Sequence, residues 1–550
     1  MKFQIIIPPI RDEYSNVPPY GALHVGRALC DNGHHVSLIN ADVERPGTEE
    51  ILGRIEDFDP DIIGFTSIVS TSYKFIKDVS IKIKERFSEK KIVLGGHLSP
   101  VHETLLKATG IDIVIEGEGE IPIVELFDAI ENNTSLAAVP SLRFKEEGGI
   151  VATDLAEPIR DLNQQKYPLF EMLDMDKYLL DANSSPTYRD DFSWHDDFEL
   201  IYGEFPHVFC VVFTRGCVKQ CAFCHRHYKG FRSPSPTYIL DYLEYLQKTY
   251  RIGFFYFPNE LTAPSRRSHL RFIEEIRKRR ENGFRFLFSI GGALMETIDS
   301  EVLHGYSNVG AVKVEFGYES GSQKILDIME KRVTVEKNLY AARIAKECKL
   351  YSRGNTVLGL PGETVDTVLE TADFLDRAQL LPSIAYVQAL PGSPIYRYAQ
   401  LKKLIVDEDD YLTSLSEVNA DSTDHYINYT DSNYLEVIQW GRFLRTVLKY
   451  RKVKRKYGVI GGILFLFLMS CVFVLNPGRK LLLIMLNGPR TKEKLRYCRD
   501  QILSSPFFIA LLVVKGVAGE LDLVEGPRVK EKGESLRKII SCLENGGLAK

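Results

Sequence analysis

The sequence predicts an α/β protein: an N-terminal doubly wound parallel sheet, a central partial (β/α)6 barrel and a mostly helical C-terminal region. Three observations carry this. Strand-like apolar runs alternate with helix-like segments over residues 1 to about 130, and again from about 206 to 400. The first run of strands ends in the small, glycine-rich sequences FTSIVS, LGGHLSP and EGEGE, as close approach of a ligand to strand ends requires. Beyond residue 400, amphipathic and very apolar pieces follow one another with basic residues between them.

In chain order, FQIIIPP is a buried strand ending at prolines, YGALHVGRALCDNGH a helix that stops at Gly33, and HVSLIN and DIIGFTSI the next strands. KFIKDVSIKIKERF has helical periodicity, KIVLGG is a strand, IDIVIEGEGE begins as one, and IPIVELFDAI is a helix. Turn formers dominate residues 136–205, which predict a linker and a small sheet. The second alternation opens with the strand HVFCVVFTRG. Its helices are PTYILDYLEYLQKTY, RRSHLRFIEEIRKRRE, VEKNLYAARIAKECK and TVDTVLETADFLDRA. Its strands are GFFYF, FRFLFSI, AVKVEFG, NTVLGLPGE and IAYVQALPG. The expected division is 1–135, 136–205, 206–400 and 401–550. A partial barrel of this kind works at the C-terminal ends of its strands.

A net charge of -5 over 550 residues, with no domain-long basic face, argues against a nucleic-acid partner. The opening MKFQIIIPPI has too short an apolar core for a signal peptide, so the chain is expected to start in the cytosol. Nine cysteines are too sparse for a disulfide scaffold, yet three fall within eight positions. TRGCVKQCAFC places Cys217, Cys221 and Cys224 at C-x3-C-x2-C, a spacing that chance would produce about 0.002 times in such a chain. Three soft thiolates on one loop can hold three irons of a cubane and leave the fourth open. Zinc is the alternative, with His225 and His227 as further ligands.

The cysteine loop, with Phe223 before its last cysteine, resembles the signature of the radical S-adenosylmethionine (SAM) superfamily. FRSPSPTYILDYLEYL, GYESGSQKILDIMEK, VLGLPGET and ALPGSPIY resemble the subset of that superfamily with an N-terminal cobalamin-binding domain. PDIIGFTS, VLGGHLSP and VIEGEGE fit the same subset, so the likeness spans about residues 1 to 400. It implies a Rossmann-like cobalamin-binding sheet followed by a radical SAM barrel. It also implies a 4Fe–4S cluster, SAM, cobalamin and a reductant such as flavodoxin or ferredoxin. The open iron would bind SAM, and reductive cleavage would give a 5′-deoxyadenosyl radical in a site that the protein shapes and keeps dry.

The resemblance also carries residues. Pro258-Asn259-Glu260 stands where the superfamily often has Gly-Gly-Glu, so only Glu260 matches that contact to the SAM amino group. Glu319, next to Ser320 at the end of a barrel strand, is implied as a SAM contact; the alternative is a charge favouring a helix N-terminus. Gly359, Pro361 and Gly362 would shape the adenine pocket through backbone groups, and Arg353 is a candidate for the SAM carboxylate. Ser67, Gly95, Gly96 and Gly117 would line the cobalamin nucleotide tail and corrin edge. The string Asp42-Val43-Glu44-Arg45-Pro46-Gly47 has glutamate where cobalamin mutases carry a cobalt-ligating histidine. The alternative is a first domain kept for structure or for docking substrate.

The expected activity is cobalamin-assisted methylation of an unactivated carbon of a hydrophobic, small and lipid-like molecule. Oxidative cyclisation or rearrangement, as in tetrapyrrole cyclases, is the second enzymatic reading. Methylthiotransfer ranks below both, because Cys30 is the sole cysteine in the first 200 residues and the tail lacks a β-barrel pattern. A non-catalytic membrane-bound binding protein is disfavoured by the intact triad. The uncharged stretch Tyr457–Gly478, behind the basic flank KYRKVKRK, is long enough to cross a bilayer, and equally suits a helix on the cytoplasmic membrane face or a helix pair capping the barrel.

Overall fold

The computed structural model describes residues 1–11, 13–182, 192–225, 230–416, 427–475 and 536. Seven strands form the first sheet in the order β2-β1-β3-β4-β5-β6-β7. They are β1 (Lys2–Ile7), β2 (His35–Asn40), β3 (Ile62–Ser67), β4 (Lys91–Gly96), β5 (Ile113–Ile115), β6 (Leu142–Glu146) and β7 (Gly149–Ala152). The first five run parallel, the doubly wound order that places a ligand crevice at the strands' carboxyl ends. The antiparallel hairpin β6–β7 extends the same sheet and β8 (Leu180–Asp181) edges the second, so the described strands between 136 and 205 are shared between the two sheets and form none of their own.

The second sheet has the order β14-β13-β12-β11-β10-β9-β8. Here β8 (Leu180–Asp181) is an antiparallel edge, and β9 (His207–Cys210), β10 (Ile252–Phe257), β11 (Leu287–Ala293), β12 (Ala311–Glu319), β13 (Arg353–Leu358) and β14 (Leu381–Tyr386) run parallel. These are the six strands of a partial barrel. β9 and β10, HVFC and IGFFYF, are near-continuous apolar runs because both their faces are covered, whereas β12 and β13 alternate buried with half-buried positions. Phe254, Phe255, Phe257, Phe286, Phe288 and Phe316 are almost wholly buried, and Phe255–Phe286, Phe257–Phe288 and Phe286–Phe288 meet edge-on or tilted.

The helix Glu408–Ser416 leaves the barrel and bolts onto the first domain. Tyr73 donates its hydroxyl to Asp409 at 2.5 Å, and Lys77 pairs with the same carboxylate. The last described helix, Tyr434–Leu475, breaks at Gly458, whose φ is 74°. Its first part buries Val437, Trp440 and Leu444, and Tyr386 donates to Ile438 O at 2.8 Å. From the basic flank, Arg455 pairs with Asp376 at 2.6 Å, on the outer barrel helix Val365–Ala378. Among the described residues, no helix is long and apolar enough to cross a membrane. Residues 476–478 of the expected span lie outside the described residues.

Candidate active site

The cysteine loop starts where β9 ends and lies over the barrel's C-terminal mouth. Asn259 is buried and accepts from Phe213 N at 3.2 Å and Thr214 N at 3.4 Å, fixing the approach to the loop. Ala222 anchors it from behind: its N–H donates to Met329 O at 2.8 Å and its carbonyl accepts from Ile395 N at 3.0 Å. Cys221 is buried, Cys217 half-buried, and Cys224 exposed as a residue. Burial pushes the Cys221 thiol up, Lys331 opposes this, and Glu319 adds to it. Packing around the Cys224 sulfur, then Cys221 and Glu260, pushes that thiol up to about 12. The three sulfurs and Glu260 therefore share one electrostatic neighbourhood. Among the described residues no three His, Cys, Asp or Glu side chains are drawn together as ligands of one ion would be. A cubane asks only that each sulfur reach a different iron. His225 is committed elsewhere, with Nδ1 2.6 Å from Pro391 O and its ring against His97, and His227 lies outside the described residues.

Glu319 sits at the end of β12 with φ 62°, an uncommon conformation for a residue with a side chain. It faces Lys331 Nζ at 2.9 Å, and the two side chains are 12% and 13% exposed. Burial works against the ammonium, but Glu319 and the Cys221 sulfur outweigh it and hold Lys331 above its ordinary value. Gly317 makes room for the pair: a Cβ there would stand 2.2 Å from Glu319 Oε1 and 2.8 Å from Lys331 Nζ. Lys331 had no signal in its own sequence context; it becomes visible only once the turn Met329–Val333 is folded beneath the cysteines.

Ser320 is brought close in sequence but turned away. It is buried and lies 3.1 Å from Thr371 Oγ1, tying β12 to the helix behind it. Gly359 and Gly362 have φ of 88° and 75° in the loop after β13, with Pro361 buried between them. The Gly359 and Leu360 N–H groups both donate to buried Glu363, at 2.5 and 3.3 Å. Glu363 thus holds the loop shape, and burial pushes its carboxyl up to about 8. Arg353 is not brought to this site. It opens β13, roughly 16 Å from the strand's working end by the usual rise per residue, exposed and bonded through Nε to Tyr351 at 3.0 Å.

On the first sheet, a cavity of about 490 Å³ opens between the strand ends and the barrel. Ser67, Gly95, Gly96, His97 and Gly117 form one wall, and Phe213, Thr214, Arg215 and Pro258 the other. It runs inward along Phe3, Ile5 and Gly64 beneath the helix Tyr20–Asp31. The Ser67 hydroxyl donates to Gly95 O at 3.1 Å and accepts from Leu98 N at 2.9 Å. Gly96, with φ 104°, passes so close that a Cβ would stand 2.4 Å from Ser67 O. Beside it, positions where Cβ atoms of Gly95 and Gly117 would stand have no atom within 4 Å. Side chains there would fill the cavity, so the glycines leave a cradle for a flat, bulky ligand. Glu44 turns aside to pair with Arg54, and Asp42 accepts from Ile10 N and Ser15 N at 2.8 Å each to hold the loop after β1.

This pairing of a glycine-cradled sheet with a three-cysteine barrel matches known families along the chain. The B12 binding domain matches residues 11–127, and the radical SAM superfamily matches residues 211–375. An uncharacterized methyltransferase of Pyrococcus horikoshii is 26% identical over 74% of this chain and 84% of its own length. The anaerobic magnesium-protoporphyrin IX monomethyl ester cyclase of Rubrivivax gelatinosus is 26% identical over 83% of this chain and 79% of its own. Among solved structures, the cobalamin-dependent SAM radical enzyme OxsB, with aqua-cobalamin and SAM bound, superposes at TM-score 0.62 with 15% identity, covering 99% of this chain and 83% of that one. The radical SAM methyltransferase TsrM of Kitasatospora setae, with cobalamin and a 4Fe–4S cluster bound, gives TM-score 0.55 and 18% identity over 73% of this chain and 75% of that one.

The chain is a radical SAM enzyme. It has the N-terminal B12-binding domain of one subset of that superfamily ahead of its radical SAM domain, and the ligands such domains call for are cobalamin, and SAM with an iron–sulfur cluster. The cysteine loop and the glycine cradle fit them.

Proposed function

We propose that this enzyme transfers a methyl group to an unactivated carbon of an apolar small molecule. The shared cavity carries the reading: one wall is the glycine-rich strand ends, the other the start of the cysteine loop. A methyl donor cradled on the sheet would face a substrate held at the barrel mouth, with little distance left to cover. When bound, the cluster with SAM supplies a carbon radical, and cobalamin supplies the methyl group.

The protein's own residues bind and orient. Cys217, Cys221 and Cys224 hold the cluster. Glu260 stands beside Cys224, where the amino group of SAM would be met. Lys331, fixed by Glu319, takes the SAM carboxylate in place of Arg353, since its ammonium is held in the field of the Cys221 and Cys224 sulfurs. Val212, Phe213 and Pro258 keep the shared wall apolar and favour a substrate of like character.

Oxidative cyclisation is the second reading, favoured by the longer stretch of this chain, 83%, that aligns with the cyclase. Product analysis separates the two. Methylation consumes two SAM molecules per turnover and yields 5′-deoxyadenosine together with S-adenosylhomocysteine. Anaerobic reaction with methyl-labelled SAM, a reductant and a cell extract should give both, plus a product carrying the label. Substrate turnover with 5′-deoxyadenosine and no S-adenosylhomocysteine would replace methylation by cyclisation.

A further inference from the structure

Arg215 belongs to both cofactor regions at once. Its backbone lies two residues ahead of Cys217, and its guanidinium forms part of the cavity wall. That guanidinium pairs with Glu118 at 2.9 Å and Glu120 at 2.5 Å, both from the EGEGE loop after β5. Arg232 joins Arg215 through paired backbone hydrogen bonds of 2.9 and 3.0 Å, and its own guanidinium takes the second oxygen of Glu118. The four side chains are 12%, 7%, 11% and 14% exposed for Arg215, Glu118, Glu120 and Arg232.

Two carboxylates and two guanidiniums balance in charge. A buried network of this kind adds little to stability over apolar packing, because desolvation offsets the attraction. Its strength is geometric: a forked guanidinium accepts two carboxylates only in one relative placement. The charges hold in place, too. Burial works to raise Glu120, but the Arg215 guanidinium, through its charge and its hydrogen bond, keeps it below its ordinary value. The network therefore sets the cavity's sheet wall against the first turn of the cysteine loop.

We propose that Arg215 is a positioning residue that couples the two cofactor sites, so that cobalamin and the cluster each bind more tightly when the other is present. The proposal rests on the cavity being the cobalamin site. A group in the cavity touches the Arg215 wall, and a cluster fixes the loop from which Arg215 extends. Each thereby removes freedom that the other would otherwise have to remove, and linkage makes the effect reciprocal.

The test is the dissociation constant of hydroxocobalamin, measured anaerobically on the full chain with its cluster and after the iron has been chelated away. In the wild type the cluster-loaded form should bind about fivefold or more tightly, the lower end of ordinary coupling. In Arg215→Lys, which keeps the charge and loses the fork, and in Glu120→Gln, which keeps the volume, the ratio should fall to within twofold, with iron loading and circular dichroism unchanged. Equal affinities in the two wild-type forms overturn the coupling. A ratio that persists in both variants overturns the role of Arg215. Failure of both wild-type forms to bind hydroxocobalamin overturns the cavity assignment itself, a result distinct from equal affinities.

Discussion

Lys331 Nζ lies 2.9 Å from Glu319 Oε1, and this enclosed ion pair sits against the Cys221 sulfur at the mouth of the barrel. Removing one member strands the other charge in a place with little water, at a cost of about 3–5 kcal/mol. Lys331→Met is therefore expected to lower the unfolding free energy by roughly that amount and to weaken SAM binding by tenfold or more, whereas Lys331→Arg retains most of both. Equilibrium unfolding and SAM titration of the anaerobic protein check it. Unchanged SAM affinity in Lys331→Met would remove Lys331 from the SAM site.

Cluster loading should depend on three cysteines alone among those described. Cys217→Ala, Cys221→Ala and Cys224→Ala are each expected to abolish the 4Fe–4S absorbance and lose the iron. Cys210→Ala and Cys348→Ala, buried in strand and helix packing, should keep it. Iron analysis after anaerobic purification is the measurement.

The two neighbouring glycines of β4 should fail differently. Gly95→Leu places its side chain where no atom stands within 4 Å, so it should fold normally and lose hydroxocobalamin binding by steric exclusion. Gly96→Ala puts a Cβ 2.4 Å from Ser67 O at φ 104°, so it should lower the melting temperature by several degrees. Thermal unfolding and cobalamin titration of both variants separate the effects.

Glu363 predicts a pH dependence of stability. Its folded pKa is raised to about 8 by burial, above the unfolded carboxyl range near 4.3. The folded state thus holds a proton that the unfolded state releases, so this contribution is full below about pH 4.3 and is lost as pH rises towards 8. Between pH 6 and 8 the wild type should lose roughly 2 kcal/mol that Glu363→Gln does not lose. Unfolding midpoints of the two proteins at both pH values decide it; parallel curves would show that Glu363 is ionised in its pocket.

Strand positions were legible because buried parallel strands appear as apolar runs: each of β1–β5 and β9–β14 overlaps one of the eleven runs, although β14 meets IAYVQALPG only at its first three residues. The helix Thr48–Phe58 escaped notice because it shows only a narrow apolar stripe in a charged segment, and Ser300–Asn308 because nine residues with a glycine inside carry little periodicity. The cysteine triad was legible because its ligands are contiguous. Lys331 and Arg215 were not, because their meaning comes from partners 12 and about 95 residues away. Arg353 was misplaced for a directional reason: it is the first residue of its strand, and a parallel barrel gathers its site at the other end.

The most direct test of the account is the spectroscopic distance between the two cofactors in one molecule. Protein carrying reduced cluster and cob(II)alamin should contain four iron atoms and one cobalamin per chain, as a three-cysteine cubane and a cobalamin in the glycine-lined cavity require. Its electron paramagnetic resonance spectrum should show the two spins coupled, because Arg215, only two residues before Cys217, lines the cavity wall. Stoichiometric loading with two independent, uncoupled signals would contradict the shared site.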